Sequence, residues 1–197
     1  MSRPINERLE ELKNKLCDEK LINHSGLGNE VDFHIFDYDP EDEYIVRDAV
    51  DNVLLKDNFQ KKLTNGYTIK RFDIYDLIID VLDENNLLKS IFKNELKKGT
   101  DRINRDIQEI IGVGTKNNLI VEKIKNEIED NQIIFITGVA KCFGIIRGHE
   151  ILNNLQPVIT KNPLIMFYPG TYTGQSMELF NRLEPVNYYR AFQIVSR

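Results

Sequence analysis

The stretch Ile133-Ile-Phe-Ile-Thr-Gly-Val-Ala140 limits the fold of this chain more than any other. An apolar run without alternation, stopped abruptly by Thr137-Gly138, reads as a strand buried on both faces. Such strands belong to parallel sheets covered by helices, where ligands or partners meet the carboxyl ends of the strands. A second run, Pro163-Leu-Ile-Met-Phe-Tyr-Pro169, ends the same way in Gly170-Thr171-Tyr172. The polar segment from His149 to Val158 suits a helix, so the two runs form a strand-helix-strand unit, and function is expected between Thr137 and His149.

The rest of the chain falls into order around that unit. Ile5, Leu9, Leu12 and Leu16 make one apolar stripe on a helix that begins after Pro4 and runs to about Lys20. After the loop from His24 to Glu30, Val31, Phe33 and Ile35 alternate with Asp32 and His34 as a first strand. The acidic turn from Asp37 to Glu43 leads into a helix whose broad apolar face holds Ile45, Val46, Ala49, Val50, Val53 and Leu54. Asn65-Gly66 signals a turn, Tyr67 to Phe72 a short strand, and Asp73 caps a helix bearing Leu77, Ile78, Val81 and Leu82. Residues 87–130 read as a strand-free helical insert broken at Gly112-Val-Gly114, with Lys89, Lys93, Lys97 and Lys98 on a solvated face. After the central unit, Ser176 to Leu183 reads as a short helix and Tyr188 to Val195 as a closing strand. The expectation is a single three-layer α/β domain over residues 1–197. Its sheet is five-stranded and mostly parallel, with helices on both faces and the helical insert between the second and third strands.

Composition narrows the function classes. A formal charge of -5 argues against a surface devoted to nucleic-acid phosphates, which needs clustered Lys and Arg. No apolar run reaches the roughly 18 residues of a membrane span, and Met1 to Lys20 is charged throughout, unlike a signal-peptide core, so a cytoplasmic protein is expected. Two cysteines, Cys17 and Cys142, lack CxxC spacing and read as unpaired thiols rather than a disulfide framework or a zinc site.

Gly26-Leu-Gly28 precedes its strand, whereas a phosphate loop must follow a strand and open a helix. No Gly-Lys-Ser/Thr ending occurs either, so no Walker site is expected. Phe33-His-Ile-Phe-Asp-Tyr-Asp39 places an Asp-x-Asp pair at the end of a first strand. Haloacid-dehalogenase-type phosphatases use such a pair around magnesium, with the nucleophile first and the acid second. Glu41 stands where they carry Thr or Val, however, and Met166-Phe-Tyr-Pro169 offers no later acidic pair. A turn and helix start is the simpler reading, with no catalytic or metal-ligating residues and no cofactor. Thr137, Gly138, Arg147, His149, Asn153, Asn154 and Gln156 are the densest hydrogen-bonding cluster near strand ends. Tyr168, Tyr172, Tyr188 and Tyr189 with Arg190 add anchors of the kind that dominate interfaces. Thr137, Gly138, Arg147, His149, Asn153, Asn154, Tyr172 and Arg190 are therefore the expected partner- or ligand-binding residues.

Several of these segments together resemble the BrxB family of BREX bacteriophage-exclusion systems. They are Gly26-Leu-Gly-Asn-Glu30, Thr137-Gly-Val139, Arg147 with His149, Leu152-Asn-Asn-Leu-Gln156, Phe167-Tyr-Pro-Gly-Thr-Tyr172, Leu179-Phe180 and Tyr188-Tyr-Arg-Ala-Phe192. The resemblance runs end to end and rests on order and spacing. It departs at Ala140, where the family pattern has glycine, and near Gly144, where it has proline. It implies a role in antiviral defence beside a DNA methyltransferase, a large ATPase and PglZ, an alkaline-phosphatase-superfamily protein with which BrxB proteins associate. It implies no catalytic residues. The resulting expectation is a non-catalytic adaptor that binds PglZ, and other BREX components with it, to help assemble the complex. The alternative is a degenerate nucleotide-binding protein or a magnesium-dependent phosphatase using Asp37 and Asp39.

Overall fold

A computed structural model describes residues 3–22, 33–115, 117–188 and 190–197. The loop from His24 to Glu30, the start of the first expected strand at Val31 and Asp32, and Tyr189 lie outside the described residues. In chain order the elements are α1 (Ile5–Leu16), α2 (Glu19–Ile22), β1 (Phe33–Tyr38), α3 (Glu43–Ala49), α4 (Asp57–Gln60), β2 (Thr68–Asp73), α5 (Ile74–Glu84), α6 (Leu88–Lys98), α7 (Thr100–Ile111), α8 (Leu119–Glu127), β3 (Gln132–Thr137), α9 (Gly148–Leu155), β4 (Leu164–Tyr172), β5 (Ser176–Leu179), β6 (Val186–Asn187) and β7 (Phe192–Gln193). A short 3-10 turn, Pro40–Asp42, precedes α3, and a π-helix, Val50–Leu54, continues it. The chain divides into two compact units, the first comprising Met1–Arg71, Glu129–Ile136 and Thr160–Arg197, the second Phe72–Ile128 and Thr137–Ile159.

The first unit holds an α/β sheet in the order β2-β3-β4-β1-β7. β1 runs parallel to β4 and β7, and β3 runs parallel to β4. The run that reads as a doubly buried strand is one: β3 sits between β2 and β4, and Ile133, Ile134, Phe135 and Ile136 are all fully buried. One face packs Phe36, Tyr38, Phe135 and Phe167 against Ile5, Leu9, Leu12 and Leu16 of α1 and Val46, Ala49, Val50 and Leu54. The Phe135 and Phe167 rings meet edge-on at 5.0 Å, the arrangement that aligns a ring's positive rim with its neighbour's negative face. Alternate residues Ile35, Ile134, Ile136, Leu164 and Met166 point to the opposite face and are buried as well, because the side-chain period of a strand is two. Ile45, expected on the apolar face of its helix, is exposed instead, since Val46, Ala49 and Val50 already fill the inward arc of α3.

Two elements differ from the sequence expectation. Ser176 to Leu179 is a strand, antiparallel to the end of β4, not a helix. Met177 and Leu179 point inward while Ser176 and Glu178 do not, an alternation of two that a window this short hides. The pairing is close: a Cβ built on Gly170 would lie 2.1 Å from the Glu178 carbonyl oxygen. The closing strand shrinks to Phe192–Gln193, because the Tyr188 and Ala191 carbonyls accept from the Tyr172 hydroxyl rather than from a neighbouring strand.

The second unit is helical, and α6, α7 and α8, which fall in the segment 87–130 expected as a helical insert, join α5 and α9 in it. Asp73 caps α5 by accepting from the Tyr75 and Asp76 amides, and Asn118 caps α8 the same way through Ile120 and Val121. Gly112 ends α7 in the left-handed region, which glycine enters without strain. Apolar faces close the bundle through Leu77, Ile78, Val81 and Leu82 of α5, Ile103, Ile107 and Ile111 of α7, and Ile120, Val121 and Ile124 of α8. Gln108 of α7 donates to the Ile145 carbonyl at 2.9 Å and so ties the segment leading into α9.

Candidate functional site

The carboxyl end of β1, where a phosphatase nucleophile would stand, is a closed ionic junction. Asp37 is fully buried, and its Oδ1 accepts from Gln193 Nε2 at 2.8 Å and from Arg8 Nη2 at 3.1 Å. Its Oδ2 accepts from the Tyr172 amide at 3.1 Å and lies 3.7 Å from Arg197 Nε. Arg8 also donates to the Val195 and Ser196 carbonyls and lies 4.9 Å from the Phe36 ring centroid. Burial lowers the pKa of its guanidinium, while Asp37 pulls in the opposite direction. Asp39 accepts from Arg197 Nη2 and, at 2.9 Å, from Asn181 Nδ2. A carboxylate nucleophile needs a lone pair aimed at open space. Those of Asp37 are directed at protein donors, so this junction clamps α1, β1, β4 and β7 together. Among the described residues, no three His, Cys, Asp or Glu side chains cluster closely enough to hold a metal ion.

In the second unit, Thr137 and Gly138 form a latch on the cap of α5. Asp73 Oδ2 accepts from Thr137 Oγ1 at 3.3 Å and from Lys141 Nζ at 2.8 Å, while its Oδ1 holds the helix amides. Gly138 has φ +75, and a Cβ there would lie 2.1 Å from Asp73 Oδ1, so any other residue meets a strained backbone and must push the Asp73 carboxylate off the α5 cap. The Cys142 thiol donates to the Gly138 carbonyl, and burial, helped by the charge of Asp73, pushes its pKa up to about 12. It is inert as a nucleophile.

Arg147, His149, Asn153 and Asn154 surround the first turns of α9. The Arg147 amide donates to Glu150 Oε2 at 2.8 Å, and its guanidinium sits 4.4 Å from the Phe143 ring centroid. Arg147 and Asn153 are exposed and His149 is half-buried. Burial lowers the pKa of His149, with Arg147 acting in the same sense and Glu150 against it. The Asn154 amide is spent on the Glu150 carbonyl at 2.7 Å. Ile151, Leu152 and Leu155 take the inward face. Among the described residues, no hydrogen bond or ion pair joins this group to Thr137 and Gly138.

Three of the four tyrosines expected as interface anchors are core residues, and the fourth, Tyr189, lies outside the described residues. Tyr168, Tyr172 and Tyr188 are all buried, and the Tyr172 hydroxyl donates to the Ala191 carbonyl at 2.7 Å. Burial raises the pKa of both Tyr172 and Tyr188. Arg190 is exposed. Sequence reasoning missed Arg8, Gln193, Arg197, Asp73's second role and Lys141. Arg8 left a signal, since it falls between Ile5 and Leu12 on the apolar stripe of α1, where a charge must find a buried partner.

A family model described as "BREX protein BrxB" matches residues 70–194. A protein of that description from Bacillus cereus (strain H3081.97) is 40% identical over 197 residues, covering 99% of this chain and 100% of the relative. Another from Escherichia coli O9:H4 (strain HS) is 30% identical over 188 residues, covering 95% of this chain and 90% of the relative. No solved structure matches the chain.

Proposed function

The chain belongs to the BrxB family of BREX proteins, and from that membership we propose that it is a non-catalytic adaptor in a bacteriophage-exclusion system, one that binds PglZ and helps assemble the complex. The observation that carries the adaptor reading is the Asp37 junction. At the strand end where an α/β enzyme concentrates its chemistry, both carboxylate oxygens are turned inward to hold the scaffold. The exposure of Arg147 and Asn153, with His149 beside them, supports this part of the expected surface as the one that meets a protein, and Arg190 is a further exposed cation. Tyr172 supports the scaffold from within. No described helix is long and apolar enough to cross a membrane, which agrees with a role in the cytoplasm.

The test is co-expression with PglZ followed by size-exclusion chromatography, with ATP and magnesium titrated into the free protein. Co-elution that weakens in Arg147→Ala or Asn153→Ala, without phosphate-ester turnover, is expected. Turnover that disappears in Asp37→Asn would overturn the adaptor reading.

A further inference from the structure

Helix α6 turns two large apolar side chains into solvent: Leu96 is 92% exposed and Phe92 is 57% exposed. Positions four apart stack into ridges along a helix, so Phe92 and Leu96 form one ridge and Lys89, Lys93 and Lys97 the ridge beside it. Ile91 on the opposite side is buried, which seats the helix and makes the two ridges its outward face. All three lysines are exposed and have no ion-pair partner among the described residues, whereas neighbouring Lys98 lies 3.5 Å from Asp106.

We propose that the outward face of α6 is the docking edge for a protein partner whose groove is apolar on its floor and lined with carboxylates on its rim. The proposal rests on the adaptor reading above and adds to it a second surface, distinct from the one around Arg147 and Asn153. Apolar anchors at i and i+4 beside a row of cations are what a helix presents when it lies in such a groove. The charge pattern selects the partner's chemistry: in a chain of net charge -5, three unpaired lysines on one ridge reverse the local sign. An acidic partner repelled elsewhere is steered to α6. A second copy of this chain fits badly, because a two-fold interface on this face would set lysine ridge against lysine ridge. A bilayer fits badly too, since two side chains bury less than a single lipid anchor, and one such anchor binds only marginally. Three lysines on phosphates would not hold nucleic acid at physiological salt.

The experiment immobilises the full chain and offers, in separate arms, each purified protein component of the same BREX system, phosphatidylserine vesicles and duplex DNA. The parent is expected to retain a protein component, and Phe92→Ala or Leu96→Ala to weaken retention about thirtyfold, the roughly 2 kcal/mol of an anchor residue. Lys89→Glu with Lys93→Glu and Lys97→Glu should weaken it further and flatten its salt dependence. Tyr44→Ala, at a residue 76% exposed on α3, should change nothing. Because the altered side chains point into solvent, every variant should melt like the parent. Unchanged retention in the α6 variants overturns the docking edge and leaves the adaptor reading standing. A parent that retains no component overturns the adaptor reading, and the docking edge falls with it. An effect of these variants on vesicles or DNA alone also overturns the proposal.

Discussion

Arg8 Nη2 lies 3.1 Å from Asp37 Oδ1, and neither side chain is more than 1% exposed. The pair joins α1 to the end of β1, and the remaining Arg8 donors reach the Val195 and Ser196 carbonyls, so one guanidinium ties three separate parts of the sequence. Taking both charges out of water is costly, and the pair is tolerable because both Asp37 oxygens and the Nε and Nη2 atoms of Arg8 find partners.

Removing Arg8 leaves the buried Asp37 charge facing, among the described residues, only the more distant Arg197, 3.7 Å away, as a cation. Arg8→Met should destabilise the protein by roughly 3–5 kcal/mol, read as a lower denaturant midpoint with an unchanged slope. Adding Asp37→Asn to Arg8→Met should recover part of the loss, because the uncompensated charge disappears. Losses that simply add would show that the two residues do not share an interaction.

Phe135 is fully buried in β3 with its ring against Phe167. Phe135→Ala removes that contact and leaves a cavity in a face that cannot collapse without moving α1. A loss of roughly 3–5 kcal/mol is expected in a denaturant melt, and a shift within error would contradict the packing.

The fold was most legible where periodicity is unambiguous. The run from Ile133 to Thr137, the stripe of α1 and the cap at Asp73 could each be read from residue types alone, because burial on two faces, on one helical arc or at an orphan amide demands those residues. Ser176 to Leu179 could not, since four residues satisfy either period and the choice is made by the edge of β4. The tyrosines misled for a related reason: an amphipathic ring suits a wet interface or a buried hydroxyl with a carbonyl to meet, and Tyr172 meets Ala191. The Asp37 junction draws on residues near positions 8, 37, 172 and 193, and no local pattern records that convergence.

Gly138→Ala should destabilise the second unit by roughly 2–4 kcal/mol, combining the left-handed backbone with damage to the α5 cap. Its Cβ would meet Asp73, the residue that also holds Thr137 and Lys141. Asp73→Ala alone should cost about 0.5–2 kcal/mol for the lost cap. In the double variant the clash is gone, so its loss should be smaller than the sum. A strictly additive result would place the penalty wholly in the backbone angle.

His149 gives the molecule a pH dependence whose sign follows from its burial. Its folded pKa lies below the ordinary value of 6.5, chiefly through desolvation, with Arg147 adding to the effect and Glu150 opposing it. As pH falls through 6.5, the unfolded chain therefore takes up a proton before the folded one does. Protons bound preferentially by the unfolded state lower stability as pH falls, so the folded state is favoured above that value and weakened below it. The side chain is only half-buried, so the effect is a modest slope rather than a transition. His149→Gln keeps a polar side chain without the titration, and should reduce the fall in stability between neutral pH and about pH 5 relative to the parent. Carboxylates that titrate in the same range act on both proteins and cancel in the difference. Parallel stability curves for parent and variant across that interval would mean that His149 is as free to protonate in the folded state as in the unfolded chain.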